Sequence, residues 1–269
     1  MKSCTLSIRH QTTYKYIKPV RYTIQQLRLR PRKEDLQRTL NWEVSSAGKR
    51  QEHKDCYGNI SEILTITHPH KEVSIVSSGV IKIKSPVNGR LPEKNVLSPL
   101  IFTVPTEFTM FSDDIKKFAN DFLSKNANTK QLLKLSEAIC KNIVYQPGST
   151  VTSSTAQEAF FLERGVCQDH AHIFIACCHS FGIPVRYVSG YVDPGNVDYG
   201  ASHAWVDVWA NDTDFSGWVS IDVTHASYQN SGYCRLAVGR DYASAGPIRG
   251  VRDGGGEESL SVNVDIENV

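Results

Sequence analysis

Apolar and polar residues alternate with a period of two through most of the first 85 residues. TLSIRHQTTYKY, YTIQQLRLRP, TLNWEVSSA, NISEILTITH and KEVSIVSSGVIKIK each keep that alternation over several positions. This is the pattern of strands with one buried face. Turn signals separate them at Lys18-Pro19, Ala47-Gly48, Tyr57-Gly58-Asn59 and His68-Pro69. Such strands, with no helical stretch among them, predict an antiparallel β-sandwich over residues 1–85. Within them the LRLRPR run puts Arg28 and Arg30 on one face, expected to be solvated. Residues 86–111 carry Pro86, Gly89, Pro92, Pro99 and Pro105 and no periodicity, and read as a linker.

Beyond residue 111 the period lengthens. Ser112 precedes DDIKKFANDFLSKN, where Ile115, Phe118, Ala119 and Phe122 recur every three or four positions. Its hydroxyl is a good N-cap, with Asp113 and Asp114 in the first turn. Thr129 opens KQLLKLSEAICKNI, with Leu132, Leu135, Ile139 and Ile143 on one stripe. A third helix follows Gly165, carries Ala171, Phe174, Ile175 and Cys178 on one side, and ends at Gly182. Alternation returns in PVRYVSGYV, SHAWVDVWA and GWVSIDVT, and finally in LSVNVDI. The chain therefore predicts an α+β fold, with residues 112–269 forming helices packed on an antiparallel sheet and including the last strand.

Composition narrows the function classes. Thirty Lys and Arg against 28 Asp and Glu leave a net charge of +2, with no basic stripe or acidic tail. That argues against a nucleic-acid partner and against a polybasic membrane surface. No apolar run approaches the roughly 20 residues that span a bilayer. The stretch MKSCTLSIRHQTTYKY lacks the continuous apolar core of a secretion signal, so a cytoplasmic location is expected. Seven scattered cysteines, an odd number, predict reduced thiols rather than a disulfide framework.

One of those thiols stands apart by its setting. Gly165-Val166-Cys167 lies where a loop meets an apolar helix, which places Cys167 in the first turn. Unpaired N–H groups and the positive end of the helix favour a thiolate there. A nucleophile needs a base within reach. In SHAWVDVWA, Ala204, Val206 and Val208 share one face, and His203, Trp205, Asp207 and Trp209 the other. GWVSIDVT divides likewise, with Val219 and Ile221 opposed to Trp218, Ser220 and Asp222. Residues 211–217 between them predict a hairpin, so His203 and Asp222 fall on neighbouring strands and the same face. A loop centred on Asp214 pairs Asp222 with Val206, so a bulge of about three residues is expected to bring His203 and Asp222 into opposition. In that arrangement Cys167 attacks, His203 takes its proton and returns it to the leaving group, and Asp222 fixes the imidazole tautomer.

GVCQDHAHIFIACCHSFGIPVRYVSGY, followed by SHAWVDVW and GWVSIDVTH, closely resembles the core of the transglutaminase-like superfamily. Members carry a G-x-C-x-D-x-A helix start, an H-A-W strand and an Asp strand on a papain-like α+β fold. IRHQTTYKY…LRLRP, DCYGN and GRDY…PIRGV resemble the bacterial two-domain branch with a β-sandwich in front, so the resemblance covers nearly the whole chain. It implies Cys167, His203 and Asp222 as the catalytic residues. The last strand often reads D-P-T in that family, whereas here it is Asp222-Val223-Thr224, without the rigid turn residue. Arg240 and Asp241 are read as an ion pair anchoring the tail.

Plainer readings stand beside these. Packing is the default for a lone cysteine, and the ordered His and Asp blocks reverse it. Asp169 serves equally as a first-turn helix acid or a catalytic group. Trp205 and Trp209 are hydrophobic walls that could line an acyl pocket. Tyr145, ahead of the site-forming loop, is a candidate second oxyanion donor beside the Cys167 N–H, with a core tyrosine as the plainer reading. Residues 148–156 read as a loop at the cleft rim. His170, His172 and His179 with Cys167, Cys177 and Cys178 suggest a metal, but their spacing on one helix does not converge on four tetrahedral ligands. No metal or cofactor is expected.

The expected activity is that of a cysteine-nucleophile acyl enzyme acting on a peptide bond, an isopeptide bond or a glutamine side-chain amide, with a protein or peptide as substrate. Water would resolve the thioester in a protease or amidase, an amine in a transglutaminase. Hydrolysis is favoured, because a cytoplasmic cross-linker needs restraint and the chain carries no D-x-[DN]-x-[DN]-G calcium loop. An alternative of another class is a non-catalytic scaffold that binds a protein through the arginine strand.

Overall fold

A computed structural model describes residues 2–92, 97–193, 195 and 202–269. It begins with a 25-residue strand, β1 (Ser3–Leu27), followed by β2 (Gln37–Ser46), β3 (Lys49–Lys54), β4 (Ile60–Ile66) and β5 (His70–Lys84). All pairings in this sheet are antiparallel. The first half of β1 pairs with β5, and its second half, Thr23 to Leu27, pairs with β4. The register slips between Lys15 and Val20, where Pro19 has no N–H to give a ladder. Residues from β1, β2, β4 and β5 pack into one apolar cluster that includes Leu27, Val44, Leu64, Ile66, Val73 and Ile75.

The helical region follows the expected punctuation, with two differences. In α1 (Asp113–Asn120) the Ser112 hydroxyl accepts from the Ile115 N–H, as its position predicts. The next helix, α2 (Thr129–Asn142), is capped by Asn128 in a reciprocal bond pair with Gln131, while the Thr129 hydroxyl donates to Asp212. The two-residue β6 (Val144–Tyr145) leads to a helix inside and beyond the segment read as a loop, α3 (Ala156–Leu162), capped by Thr155 with Glu158. The two-residue β7 (Arg164–Gly165) then pairs in parallel with β6 and delivers the chain to α4 (Cys167–His179). From Gln168 to His179, α4 is buried on every side, so the expected amphipathic stripe is the centre of the core.

An antiparallel sheet backs α4. It comprises β8 (Val185–Val192), β9 (Ser202–Asn211), β10 (Ser216–Asp222), β11 (Ser227–Tyr228) and β12 (Tyr233–Gly239), in the order β11-β10-β9-β8-β12. Ala204, Val206, Val208, Val219 and Ile221 pack with α4, as the alternation predicts. The opposite face carries Arg186, Asp207, Ser220 and Arg235, all buried. Short α5 (Tyr242–Ala245), β13 (Ile248–Gly254) and β14 (Glu258–Asn268) complete the chain.

Several expectations change here. β13 and β14 do not join the helical region's sheet. They pair with the second and first halves of β1, so the strand expected with residues 112–269 belongs to the N-terminal sheet. Alternation records that a strand has one buried face and is silent about its neighbour. The arginine strand is not a solvated face. Arg28 pairs with Asp55, Arg30 with Glu62 and Arg32 with Glu34, and Arg28 and Arg32 are buried. The described part of the linker, which excludes residues 93–96, is a packed strap in which Leu91 and Phe102 bury against Trp218. Arg90 pairs with Asp212 and Asp214. Arg240 and Asp241 serve separate ends: Arg240 donates to the carbonyls of Val104 and Pro105, and Asp241 caps α5.

Candidate active site

Cys167 is the first residue of α4 and is partly exposed. The helix start is set by Asp169, whose Oδ2 accepts from the Val166 N–H at 2.7 Å and from the Thr150 hydroxyl at 2.7 Å. A Cβ on Gly165 would lie 2.6 Å from the Asp169 Cβ, so only glycine leaves room for this cap. The Gly-x-Cys-x-Asp spacing thus has a mechanical reason: the Asp locks the turn that presents the thiol. Burial raises the Asp169 pKa against the lowering effect of these bonds. Asp169 acts as the first-turn acid and ties the 148–156 segment to the helix.

The His and Asp strands meet without a bulge. Ser216 pairs with Asn211 and Ile221 with Val206, so Asp222 stands across from Trp205 and reaches His203 on the diagonal. The His203 Nε2 to Asp222 Oδ2 distance is 2.8 Å. Burial opposes charge on His203, but its bond to Asp222 and the neighbouring Cys167 outweigh it and raise its pKa to about 10. Asp222 is wholly buried. Its Oδ1 accepts from the Thr224 and His225 N–H groups at 3.0 and 3.2 Å. Its Oδ2 also takes His225 Nδ1 and the Tyr233 hydroxyl, each at 2.7 Å. Burial would raise the Asp222 pKa, yet the bonds from His203 and His225 hold it well below the usual carboxylate range. Those two backbone donors hold the carboxylate after Asp222-Val223-Thr224 without a proline.

His225 and Tyr233 escape a reading that looks for one triad. The signal for His225 was its place three residues after Asp222, within reach of a carboxylate in a tight turn. Trp205 is not a cleft wall. It is fully buried, stacks on the His203 ring at 6.2 Å and 22°, and donates its Nε1–H to Ser220. It braces the imidazole from behind. Trp209 packs edge-on against Trp218.

Tyr145 is half exposed and stands edge-on to His170 at 6.1 Å, and it is not in the wall of the cleft around Cys167. The three histidines of α4 do not share a point. His170 meets the Thr224 hydroxyl and the Ile143 carbonyl, His172 accepts from the Tyr242 N–H, and His179 donates to the Phe102 carbonyl. Burial lowers the pKa of each to about 4. The ligand-type groups that do converge among the described residues are His203, Asp222 and His225, within 4.8 Å of one another. Both imidazoles already bond the carboxylate, which makes this a proton-holding cluster.

Cys167 and His203 open on a cleft of about 270 Å³ whose second wall is the N-terminal sheet: His10, Thr12 and Tyr14 from β1, Leu260 and Val262 from β14. Among the described residues no helix is long and apolar enough to cross a membrane.

Comparison with known proteins bears on both halves. Residues 6–82 match the family model of the bacterial transglutaminase-like N-terminal region, and residues 116–223 that of the transglutaminase-like superfamily. An uncharacterized protein of Mycobacterium tuberculosis (strain ATCC 25618 / H37Rv) is 30% identical over 286 residues, spanning 96% of this chain and 91% of that protein. One from Mycobacterium leprae (strain TN) is 28% identical over 277 residues, spanning 97% and 98%. The crystal structure of a "putative cysteine protease" from Cytophaga hutchinsonii matches with a TM-score of 0.79 at 22% identity, over 100% of this chain and 92% of that one. At that identity the likeness establishes the fold.

Proposed function

The chain belongs to the transglutaminase-like superfamily, and from that premise we propose that it is an acyl enzyme in which Cys167, His203 and Asp222 form a catalytic triad. One observation carries the reading: His203, held by Asp222 at 2.8 Å, lines the same cleft as the Cys167 thiol at the start of α4. A nucleophilic thiol needs a base within its own cleft, and His203 is the imidazole so placed.

The sequence of events follows from that geometry. The Cys167 sulfur adds to the carbonyl carbon of a carboxamide. The oxyanion forms at the N-terminus of α4, where the Cys167 N–H has no intrahelical acceptor and the helix dipole is positive. His203 gives its proton to the leaving nitrogen, the C–N bond breaks, and a thioester remains. His203, now neutral, takes a proton from water as the oxygen adds to the thioester. The carboxylic acid leaves and the thiol–imidazole pair is restored. Asp222 stays ionised throughout, because five hydrogen bonds oppose its protonation. Partial exposure of Cys167 supports water as the acceptor, which makes the chain a protease or amidase. An amine acceptor would instead make it a transglutaminase, and adding a primary amine to the reaction distinguishes them by product mass.

Alkylation with iodoacetamide at about pH 6, below the ordinary thiol range, tests the nucleophile. Cys56 is the exposed reference thiol. Cys167 is expected to label at least tenfold faster than Cys56 by peptide mapping, on the order seen for activated thiols, and to slow in His203→Ala. Equal rates would remove the enzyme reading and favour the scaffold.

A further inference from the structure

The face of β14 that looks toward the helical region changes character along its length. Leu260, Val262, Val264 and Ile266 alternate onto that face, opposite Tyr14, Thr12, His10 and Ile8 of β1. Val264 and Ile266 pack on the apolar cluster built around Leu6, Ile81 and Leu236. Leu260 and Val262 remain 56% and 51% exposed, and both line the cleft that contains Cys167. Two half-exposed aliphatic side chains are therefore held by strand pairing in the cleft that contains the thiol.

The one charged group the account places in the described lining, the His203 imidazolium, is bonded to Asp222. Among the described residues lining the cleft there is no Asp, Glu, Lys or Arg. The His10 ring is spent on the Tyr191 and Thr12 hydroxyls at 2.8 Å each, and burial lowers its pKa to about 4, so it is neutral. A charged side chain entering this space would lose hydration, and the described lining offers it no counter-ion besides His203, which Asp222 already holds. An aliphatic or aromatic one would bury area against Leu260 and Val262. At about 270 Å³ the cleft admits side chains of an extended segment and excludes a folded surface.

We propose that the substrate is an extended peptide bearing a bulky uncharged side chain beside the reacting carboxamide, and that Leu260 and Val262 of the N-terminal sheet select it. This rests on Cys167 being the nucleophile. It also gives the N-terminal sheet a role at the site: β1 recruits β14 into the wall that faces the thiol.

The test uses four dipeptidyl chloromethyl ketones that differ only in Leu, Phe, Lys or Glu next to the ketone. Each alkylates the full chain as the sulfur displaces chloride, and labelling of Cys167 is followed by mass spectrometry beside iodoacetamide. The Leu and Phe probes should react at least about tenfold faster than Lys and Glu, the discrimination an apolar pocket supplies. In Leu260→Ser/Val262→Ser, whose positions are exposed enough to accept serine, the Leu-to-Lys ratio should fall severalfold. Equal rates for the four probes with rapid iodoacetamide labelling would overturn the proposal and leave the nucleophile standing. A slow reaction with every probe, iodoacetamide included, would overturn both.

Discussion

Asp207 and Asp222 lie on adjacent strands of one sheet, on the same face, and neither exposes any surface. Each would be costly to bury alone, and each is fully partnered. Asp207 is gripped by Arg186 at 2.8 Å and by two nitrogens of Arg235, at 2.9 and 2.5 Å. Asp222 is gripped by His203, His225, Tyr233 and two backbone N–H groups. The first set of donors never releases a proton near neutral pH, because guanidinium titrates far above it. The second contains the His203 imidazole, which gives up and regains its proton in the catalytic cycle proposed above. Two carboxylates in equivalent settings thus become a structural bolt and a proton-holding device, and the partner's chemistry makes the difference.

Breaking each bond set should separate rate from stability. Asp222→Asn keeps the shape but loses the charge that holds the His203 imidazolium. Turnover, or Cys167 alkylation in its place, should fall by up to about 10⁴, as for the carboxylate of other triads, while the melting temperature changes far less. Asp207→Asn removes the carboxylate that Arg186 and Arg235 share, leaving Glu34 as the acidic partner of Arg235. It should cost about 3–5 kcal/mol of stability in denaturant unfolding, with Cys167 reactivity of the folded protein kept. A variant at either position that moved both readouts equally would erase the distinction.

A smaller effect comes from pH. His10, His170, His172 and His179 are buried neutral with pKa values lowered to about 4. The unfolded chain binds protons on them near 6.5, so the stability they contribute is present above that pH and lost as it falls toward 4. Each accounts for at most about 3.5 kcal/mol, at roughly 1.4 kcal/mol per unit. His203 has the opposite sign. Raised to about 10, it stabilises fully below about 6.5 and loses that contribution as pH rises through 10. The melting temperature should peak near neutrality and drop on both sides. A constant value from pH 4 to 6.5 would contradict this account of the buried histidines.

Much of the candidate site was legible because its logic is local. Gly165, Cys167 and Asp169 sit within five residues, and the steric demand of Asp169 on Gly165 is written in that spacing. Strand alternation correctly set His203 and Asp222 on one face. The hairpin turn could not be read: Asp212 closes it with Phe215, which shifts the register by one residue and makes the bulge unnecessary. Trp205 and Asp207 alternate like cleft residues but lie under the N-terminal region, where Glu34 and Gln37 meet Arg235. Arg28 and Arg30 looked solvated for the same reason, since their acidic partners, Asp55 and Glu62, are distant in the sequence. What failed was knowledge of which surfaces meet, a long-range property that periodicity does not encode.

The claim that Asp222 holds His203 charged beside Cys167 is most directly tested by NMR titration of the His203 ring in the intact chain, assigned by its loss in His203→Ala. The account predicts an imidazolium through neutral pH that titrates near 10, and a midpoint lowered by several units in Asp222→Asn. A His203 ring that titrates near 6.5 in both proteins would contradict it.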